Sequence, residues 1–244
     1  MLDSQTLPNL SRLSLDQKRE LLELLEAKER LRAENKIREY YPASGPLRRE
    51  LYPRHMEFFS SGATHRERCF MAGNRVGKTE GAGGYETVLH LTGDYPDWWE
   101  GKRFTKPIVG WAAGDTNETT RDIIQRKLVG PHGYEGTGLI PKSKIIKTTP
   151  RSGIPGAILD IYIEHVSGGT SVLTLKSYEQ GRKKFQGTEI DLVWLDEEPP
   201  EDVYSECVTR TMTTGGIVYL TFTPLEGLSN VVKSFLPKEY QLSA

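Results

Sequence analysis

The chain has 244 residues, 27% of them charged, with a formal net charge of -1. That length allows one large packed core, and the charge balance excludes a uniformly basic nucleic-acid binder while leaving room for a local basic patch. No apolar run approaches the ~20 residues of a membrane-spanning helix, and the polar N-terminus lacks the apolar core of a signal peptide.

Residues 1–13 read as a loose lead-in. Ser14 and Gln17 have capping-box spacing, and Leu15, Leu21, Leu22, Leu24, Leu25 and Leu31 follow at helical intervals among balanced acids and bases. The pattern predicts a helix of roughly 20–25 residues ending before Tyr41-Pro42. It is either packed on the main domain or held out as an arm for a partner protein. Pro42, Ser44, Gly45 and Pro46 break the pattern. An N-terminal helical arm is therefore expected over 1–45 and the main domain over 46–236. In the stretch 51–59, His55 stands where many P-loop motors carry a Gln that reads adenine, and an imidazole can both donate and accept. Tyr52 or Phe58 could stack on a base; the alternative is a short amphipathic helix with core aromatics.

Arg68-Cys69-Phe70-Met71 reads as a buried strand, and it runs into Ala72-Gly73-Asn74-Arg75-Val76-Gly77-Lys78-Thr79. This is a phosphate cradle of the G-x-x-x-x-G-K-[ST] type, with Ala72 in the first position. Gly77 permits a tight turn against an anion. Lys78 brings charge to the β and γ phosphates, and the Thr79 hydroxyl suits Mg2+. Residues 78–92 are expected to form a helix whose N-terminus faces the phosphates. Gly81, Gly83 and Gly84 within it suggest close approach of another backbone.

Trp98 and Trp99 are read as core fillers. Residues 107–113 are read as a second central strand, 116–129 as a helix containing Arg121, and 130–156 as a long loop. Strands are expected at 157–163 and 171–175, joined by the turn Ser167-Gly168-Gly169-Thr170. Cys69 and Cys207 fall in a strand and a helix, as buried thiols of a reducing cytosol do. The five His are scattered without metal-ligand spacing.

From Lys142 to Lys184 there are eight Lys/Arg against three Asp/Glu; from Phe185 to Glu206 there are eight Asp/Glu and no Lys/Arg. The switch leads into Leu192-Val193-Trp194-Leu195-Asp196-Glu197-Glu198, an apolar strand ending in acids. Asp196 suits Mg2+, and Glu197 suits the orientation and deprotonation of water. Glu198 is the alternate. Residues 216–222 form a last strand; Thr221 and Thr223 at its end could bond a γ-phosphate, the alternative being a strand that simply ends in a Pro turn at Pro224.

Three stretches, Arg68 to Thr79, Trp194-Leu195-Asp196-Glu197-Glu198-Pro199-Pro200 and Thr221-Phe222-Thr223-Pro224-Leu225, together resemble the large terminase subunit of tailed double-stranded DNA phages. The approach Tyr178-Glu179-Gln180-Gly181-Arg182 to Gln186-Gly187 is similar too, and the likeness covers residues 14–236. It implies an α/β fold, a P-loop ASCE/RecA-like ATPase with a central, mostly parallel sheet flanked by helices. It also implies ATP and Mg2+ as cofactors, and hydrolysis that pumps double-stranded DNA through a portal protein into a procapsid in the host cytoplasm. The small terminase subunit would be a further partner. Copies would form a ring when assembled and be monomeric when isolated.

On this likeness residues 72–79 bind ATP, Thr79 and Asp196 hold the metal, Glu197 is the catalytic carboxylate and Thr221-Phe222-Thr223 couples hydrolysis to movement. Arg75 matches an arginine of the family's phosphate loop. Arg182, in a Gly-flanked basic loop, could reach a neighbouring subunit's nucleotide as an arginine finger; the alternative is a solvated loop or DNA contact. His55 departs from the family's Gln. Family members also carry a C-terminal nuclease, so 237–244 would begin the linker to it. With no cluster of carboxylates for two metals in this chain, no nuclease activity is expected. Two other readings are a superfamily-2-like helicase fragment and a nucleotide-gated interaction module.

Overall fold

A computed structural model describes residues 13–225 and 227–237. Residues 1–12 of the expected lead-in (1–13) and 238–244 of the expected linker (237–244) lie outside the described residues. The sheet has seven strands: β1 (Glu67–Met71), β2 (Val109–Gly114), β3 (Ile145–Pro150), β4 (Ile158–Glu164), β5 (Thr170–Ser177), β6 (Leu192–Asp196) and β7 (Ile217–Phe222), in the spatial order β1-β7-β6-β2-β5-β4-β3. The first five in that order are parallel, and β4 and β3 extend the sheet antiparallel. β6 and β7 are buried along their whole lengths, which is why both read as unbroken apolar runs rather than alternations.

Alternation instead sorts the core into two layers. On one face Leu192, Trp194, Ile217 and Tyr219 pack under the helical segment 78–92; on the other Val193, Leu195, Val218 and Leu220 pack under α6 (Glu201–Met212) and α7 (Asn230–Ser234). The expected 78–92 helix is present, but its first turns, Lys78–Gly84, are π-wound before α3 (Tyr85–Thr92) takes over. The helix expected at 116–129 is likewise interrupted: α4 (Asn117–Thr119) passes through a π-wound Thr120–Gln125 into α5 (Arg126–Val129).

Three expectations are corrected. The long loop at 130–156 contains β3, an edge strand with bulges at Ile145/Lys147 and Thr149/Pro150. Its mostly exposed residues give it no apolar pattern, and Lys147, the bulges and Pro150 guard the edge against further pairing. The boundary expected near 42–46 falls too late. α1 (Leu15–Ala33) carries the capping box between Ser14 and Gln17, but Tyr41 is 2% exposed at the centre of an aromatic cluster with Tyr52, Phe59 and Tyr85. The body therefore begins directly after α1. Finally, the helical glycines accommodate large side chains rather than a second backbone. A Cβ on Gly81 would stand 2.8 Å from the Tyr41 hydroxyl oxygen, one on Gly84 2.9 Å from Leu139 Cδ1, and one on Gly83 inside the Trp194 indole.

Trp194 is fully buried, and its Nε1–H donates to Thr221 Oγ1 at 2.8 Å. Gly83→Ala should therefore lower stability by about 1–3 kcal/mol, the usual range for overpacking a tight core. The thermal midpoint measures it, and an unchanged midpoint would show that the indole moves aside freely.

Candidate active site

Everything chemical gathers at the C-terminal ends of the parallel strands. β1 leads into the loop 72–77, which turns through two left-handed residues, Arg75 (φ 64°) and Gly77 (φ 84°), into the helix beginning at Lys78. Gly77 takes that conformation freely; Arg75 does so against its Cβ, a local strain of roughly 1–2 kcal/mol. The Lys78 side chain turns back under the loop. Its Nζ donates to Gly73 O at 3.0 Å and to Thr223 Oγ1, just past β7, at 2.7 Å. The Thr223 hydroxyl lies 3.0 Å from both Ala72 O and Asn74 Oδ1 and donates to one of them at a time. The loop and the end of β7 are thus strapped together through one ammonium and one hydroxyl.

Asp196 ends β6 two strands away from β1 and is 3% exposed. Thr221 Oγ1 donates to its Oδ1 at 2.6 Å, and the Thr79 hydroxyl also bonds it. Burial pushes its carboxyl up to about 7, with the Glu197 charge adding to the rise, against the lowering effect of the two hydroxyls and Lys78. A hydroxyl and a buried carboxylate short of positive charge form an oxygen donor set that fits a hard divalent cation such as Mg2+.

The sign of the linkage follows. A carboxyl raised in the fold contributes stability that is full below its unfolded value of 3.8 and is lost as pH rises through 7. Asp196→Asn should therefore leave stability unchanged in acid and raise it progressively to a plateau above neutral pH, by at most roughly 4 kcal/mol. Urea titrations from pH 4 to 8 without divalent cations would show this; an advantage independent of pH would refute it.

Glu197 follows with φ 66°, again left-handed for a residue with a Cβ. Its N–H donates to Thr221 O at 3.0 Å, and the buried Tyr178 hydroxyl lies 3.1 Å from its carbonyl oxygen. Those contacts fix the turn and leave the Glu197 side chain exposed at the mouth of the site. Glu198 is occupied otherwise. Its Oε1 accepts from Ser229 Oγ, the N-cap of α7, while its Oε2 is buried without a partner among the described residues.

His55 is placed under the loop. Burial holds its imidazole below the usual pKa, so the neutral ring donates Nε2–H to Val76 O at 3.1 Å and offers Nδ1 to the Tyr41 hydroxyl at 2.6 Å. Both nitrogens serve the protein, so an adenine contact would require one bond to be given up. Phe58 is 6% exposed with the Arg68 guanidinium 4.7 Å over its ring, and is closed to a base. Tyr52 is half-buried and lines, with Leu47, Tyr40, His55, Arg75 and Val76, a cavity of about 280 Å3 beside the loop.

Arg182 is not brought to this chain's own loop. It lies against α6, on the face of the sheet opposite the 78–92 helix, and its Nε donates to the buried Glu206 at 2.8 Å. Glu206 is also held by Arg210. Among the described residues Arg182 bonds Glu206 alone, and its side chain is 54% exposed.

Sequence reasoning missed Glu80, directly after Thr79. Lys36, Lys127 and the Tyr40 hydroxyl converge on its carboxylate, the last two at 2.5 and 2.7 Å. Burial alone would raise this carboxyl, but the two ammonium groups and the hydroxyl hold it at about 2. The clasp ties the segment after α1 and helix α5 to the start of the phosphate-loop helix. An acid immediately after the Lys-Thr pair, in a turn destined for burial, was the available signal.

A loop strand separated by one strand from an acidic strand, with a second carboxylate beyond the first, defines a P-loop ATPase fold of the ASCE class. The family model for the N-terminal part of the T4likevirus-type terminase large subunit matches residues 69–243, and the chain belongs to that family. It is 40% identical to the large terminase subunit of Salmonella phage P22 over 247 aligned residues, covering 93% of this chain and 48% of that protein. The chain thus spans about half the length of this relative. The large terminase ATPase domain of Thermus phage P74-26 shares the fold, with a TM-score of 0.51 and 21% identity over 71% of this chain and 64% of that one.

Proposed function

We propose that the chain is an ATP-hydrolysing motor domain that drives double-stranded DNA into a viral procapsid. The observation that carries the ATPase reading is the convergence of Lys78, Thr79 and Asp196 at the strand ends, with Glu197 turned out beside them by a strained residue. Backbone N–H groups of the loop and the N-terminus of the 78–92 helix would receive the phosphates. Lys78 would exchange Gly73 O and Thr223 for phosphate oxygens. Thr79 and Asp196 would hold Mg2+, which when bound offsets phosphate charge. Glu197 would orient a water molecule and take its proton on the carboxylate. Tyr52 and Leu47 would border the nucleoside in the cavity beside the loop.

The β7 end, Thr221-Phe222-Thr223, is the coupling element of this reading. Thr221 bonds Asp196 and Thr223 bonds Lys78, so both sides of the nucleotide meet on one strand. For the charge supplied from a neighbour in a ring, Arg182 is the candidate, its exposed guanidinium reaching outward while Nε keeps Glu206. Portal protein and small terminase subunit would be the docking partners.

ATP binding and turnover of the wild-type chain, alongside Lys78→Ala, provide the test. Lys78→Ala should weaken ATP binding at least tenfold and abolish turnover. A wild-type chain with no affinity for ATP, or a Lys78→Ala chain that binds ATP normally, would defeat the proposal.

A further inference from the structure

The eight Lys and Arg residues between Lys142 and Lys184 divide into two sets in the fold. Lys142, Lys144 and Arg182 pair with Glu34, Glu164 and Glu206. Lys147, Arg151, Lys176, Lys183 and Lys184 form no ion pair with a carboxylate among the described residues. Strand pairing shows where this second set lies. Lys147 stands opposite Tyr162 across β3 and β4, and Asp160 stands opposite Thr174 across β4 and β5. By alternation Lys147, Asp160, Tyr162, Thr174 and Lys176 share one face of the sheet. The other face of these strands, with Ile161, Ile163, Leu173 and Leu175, is buried beneath the 78–92 helix. On the lysine side α6 packs on β6 and β7. Among the described residues no helix packs on that side of β3, β4 and β5, and Tyr162, Val172 and Thr174 are only half-buried.

The cations of this open face are held in place without acids. Lys147 Nζ lies 4.5 Å from the centre of the Tyr162 ring, and Lys176 Nζ lies 4.5 Å from that of Trp111. Lys176 also donates to the Lys184 carbonyl at 2.5 Å, which fixes the segment Arg182–Phe185 beside the end of β5. Arg151 donates to Leu175 O. Burial lowers the pKa of Lys176, and the like charges of Arg151 and Lys184 lower it further against the opposing effect of Asp160. The acids on this face are already engaged. Asp160 accepts from Thr149 at 3.1 Å and from Thr174 at 2.7 Å, and Glu164 holds Lys144. A chain of net charge -1 thus gathers five cations without a carboxylate partner on one uncovered face.

We propose that the open face of β3, β4 and β5, with the Arg182–Phe185 segment at its margin, receives the phosphate backbone of double-stranded DNA. The choice of duplex DNA as the polyanion rests on the motor reading above. Cations on a flat sheet face neutralise phosphates and read no base edge, so the contact is independent of sequence, as passage of a whole genome requires. The face also ends beside the nucleotide site. Tyr178 follows Lys176 by two residues, and its hydroxyl lies 3.0 Å from Asp196 O and 3.1 Å from Glu197 O. A pull on the end of β5 is therefore passed to the turn that carries the catalytic carboxylate.

Fluorescence anisotropy of a short labelled duplex of arbitrary sequence, titrated with the 244-residue chain at several salt concentrations, tests this. For the wild-type chain the logarithm of the binding constant should fall with the logarithm of salt with a slope of about -3 to -5. Lys147, Lys183 and Lys184 are exposed, so replacing them leaves the core alone. Lys147→Gln, Lys183→Gln and Lys184→Gln together should weaken binding at least about tenfold at low salt and flatten the slope by about 2–3. Arginine at the same three positions should preserve both. Lys18→Gln, Lys28→Gln and Arg30→Gln on α1 remove the same charge elsewhere and should leave affinity within about twofold of the wild-type value. A wild-type chain that does not bind the duplex, a glutamine variant of the sheet face that binds it normally, or an equal loss in the α1 variant would overturn the proposal. Each of those results would leave ATP binding and its dependence on Lys78 untouched, whereas failure of the motor reading shows as absence of ATP affinity.

Discussion

Glu197→Gln should bind ATP as tightly as the parent chain and hydrolyse it about 10²–10⁴-fold more slowly, the range for loss of a general base. The substitution keeps the size of the side chain and removes its basicity. It leaves intact the two backbone contacts, Thr221 O and the Tyr178 hydroxyl, that hold residue 197 in its left-handed turn. Glu198→Gln is the control. Glu198 is engaged with Ser229 at the start of α7, so its loss should loosen that helix and leave the chemical step in place. Equilibrium nucleotide binding and single-turnover hydrolysis on both variants separate these effects. If Glu198→Gln were inactive and Glu197→Gln active, the base would be one residue further on.

The largest effect on stability should come from Arg68→Met. Arg68 lies in β1, 4% exposed, with Nη2 2.5 Å from Oε1 of the fully buried Glu86 and Nη1 2.7 Å from Phe58 O. The Phe58 and Tyr219 rings flank the guanidinium at 4.7 and 5.3 Å. Burial alone would raise the Glu86 carboxyl, but Arg68 and His90 hold it below its ordinary value. Removing the arginine leaves that carboxylate buried beside His90, whose own basicity is lowered by burial. Breaking one side of such a pair costs about 3–5 kcal/mol, a large part of the ~5–15 kcal/mol that holds a domain together.

Replacing both partners, Arg68→Met with Glu86→Leu, should recover most of the loss, because no uncompensated charge remains. Urea unfolding of the two single variants and the double variant gives the coupling. Because the folded carboxyl is lowered, the pair's contribution is full above pH ~4.5 and fades as pH falls through the folded value. Equal losses in the single and double variants would mean that packing, not charge, holds this corner.

The parts of the fold that could be read from sequence are those where chemistry or burial dictates residue type at short range. The Lys78-Thr79 pair, the apolar run into Asp196 and Glu197, and the buried runs of β6 and β7 all declare themselves within a few residues. β3 does not, because an exposed edge strand carrying Lys147, two threonines and Pro150 has no side that must be apolar. The partners of His55 and Arg68 lie 14 and 18 residues away along the chain, and nothing local specifies them. An arginine inside an apolar strand nevertheless demands a buried acid, and Glu86, one of the few acids in an apolar helix, was the place to look. Gly83 and Trp194 form a matched pair in the same sense: a missing side chain on one element and an oversized one on the strand beneath it. The π-winding after Lys78 left no trace in residue type.

The strap between Lys78 and Thr223 bears on how tightly nucleotide can be held. One ammonium serves the Gly73 carbonyl and the Thr223 hydroxyl, and on the proposed reading these are the bonds a phosphate would displace. Affinity for ATP would then be reduced by what Lys78 gives up, and the same bonds, re-forming, would favour expulsion of the spent nucleotide. By reciprocity, whatever pulls the end of β7 away from the loop tightens nucleotide binding, and bound nucleotide frees that strand to move. A load on β7 would thus register as a longer dwell of product in the site. The catalytic cycle would be paced by tension as much as by chemistry.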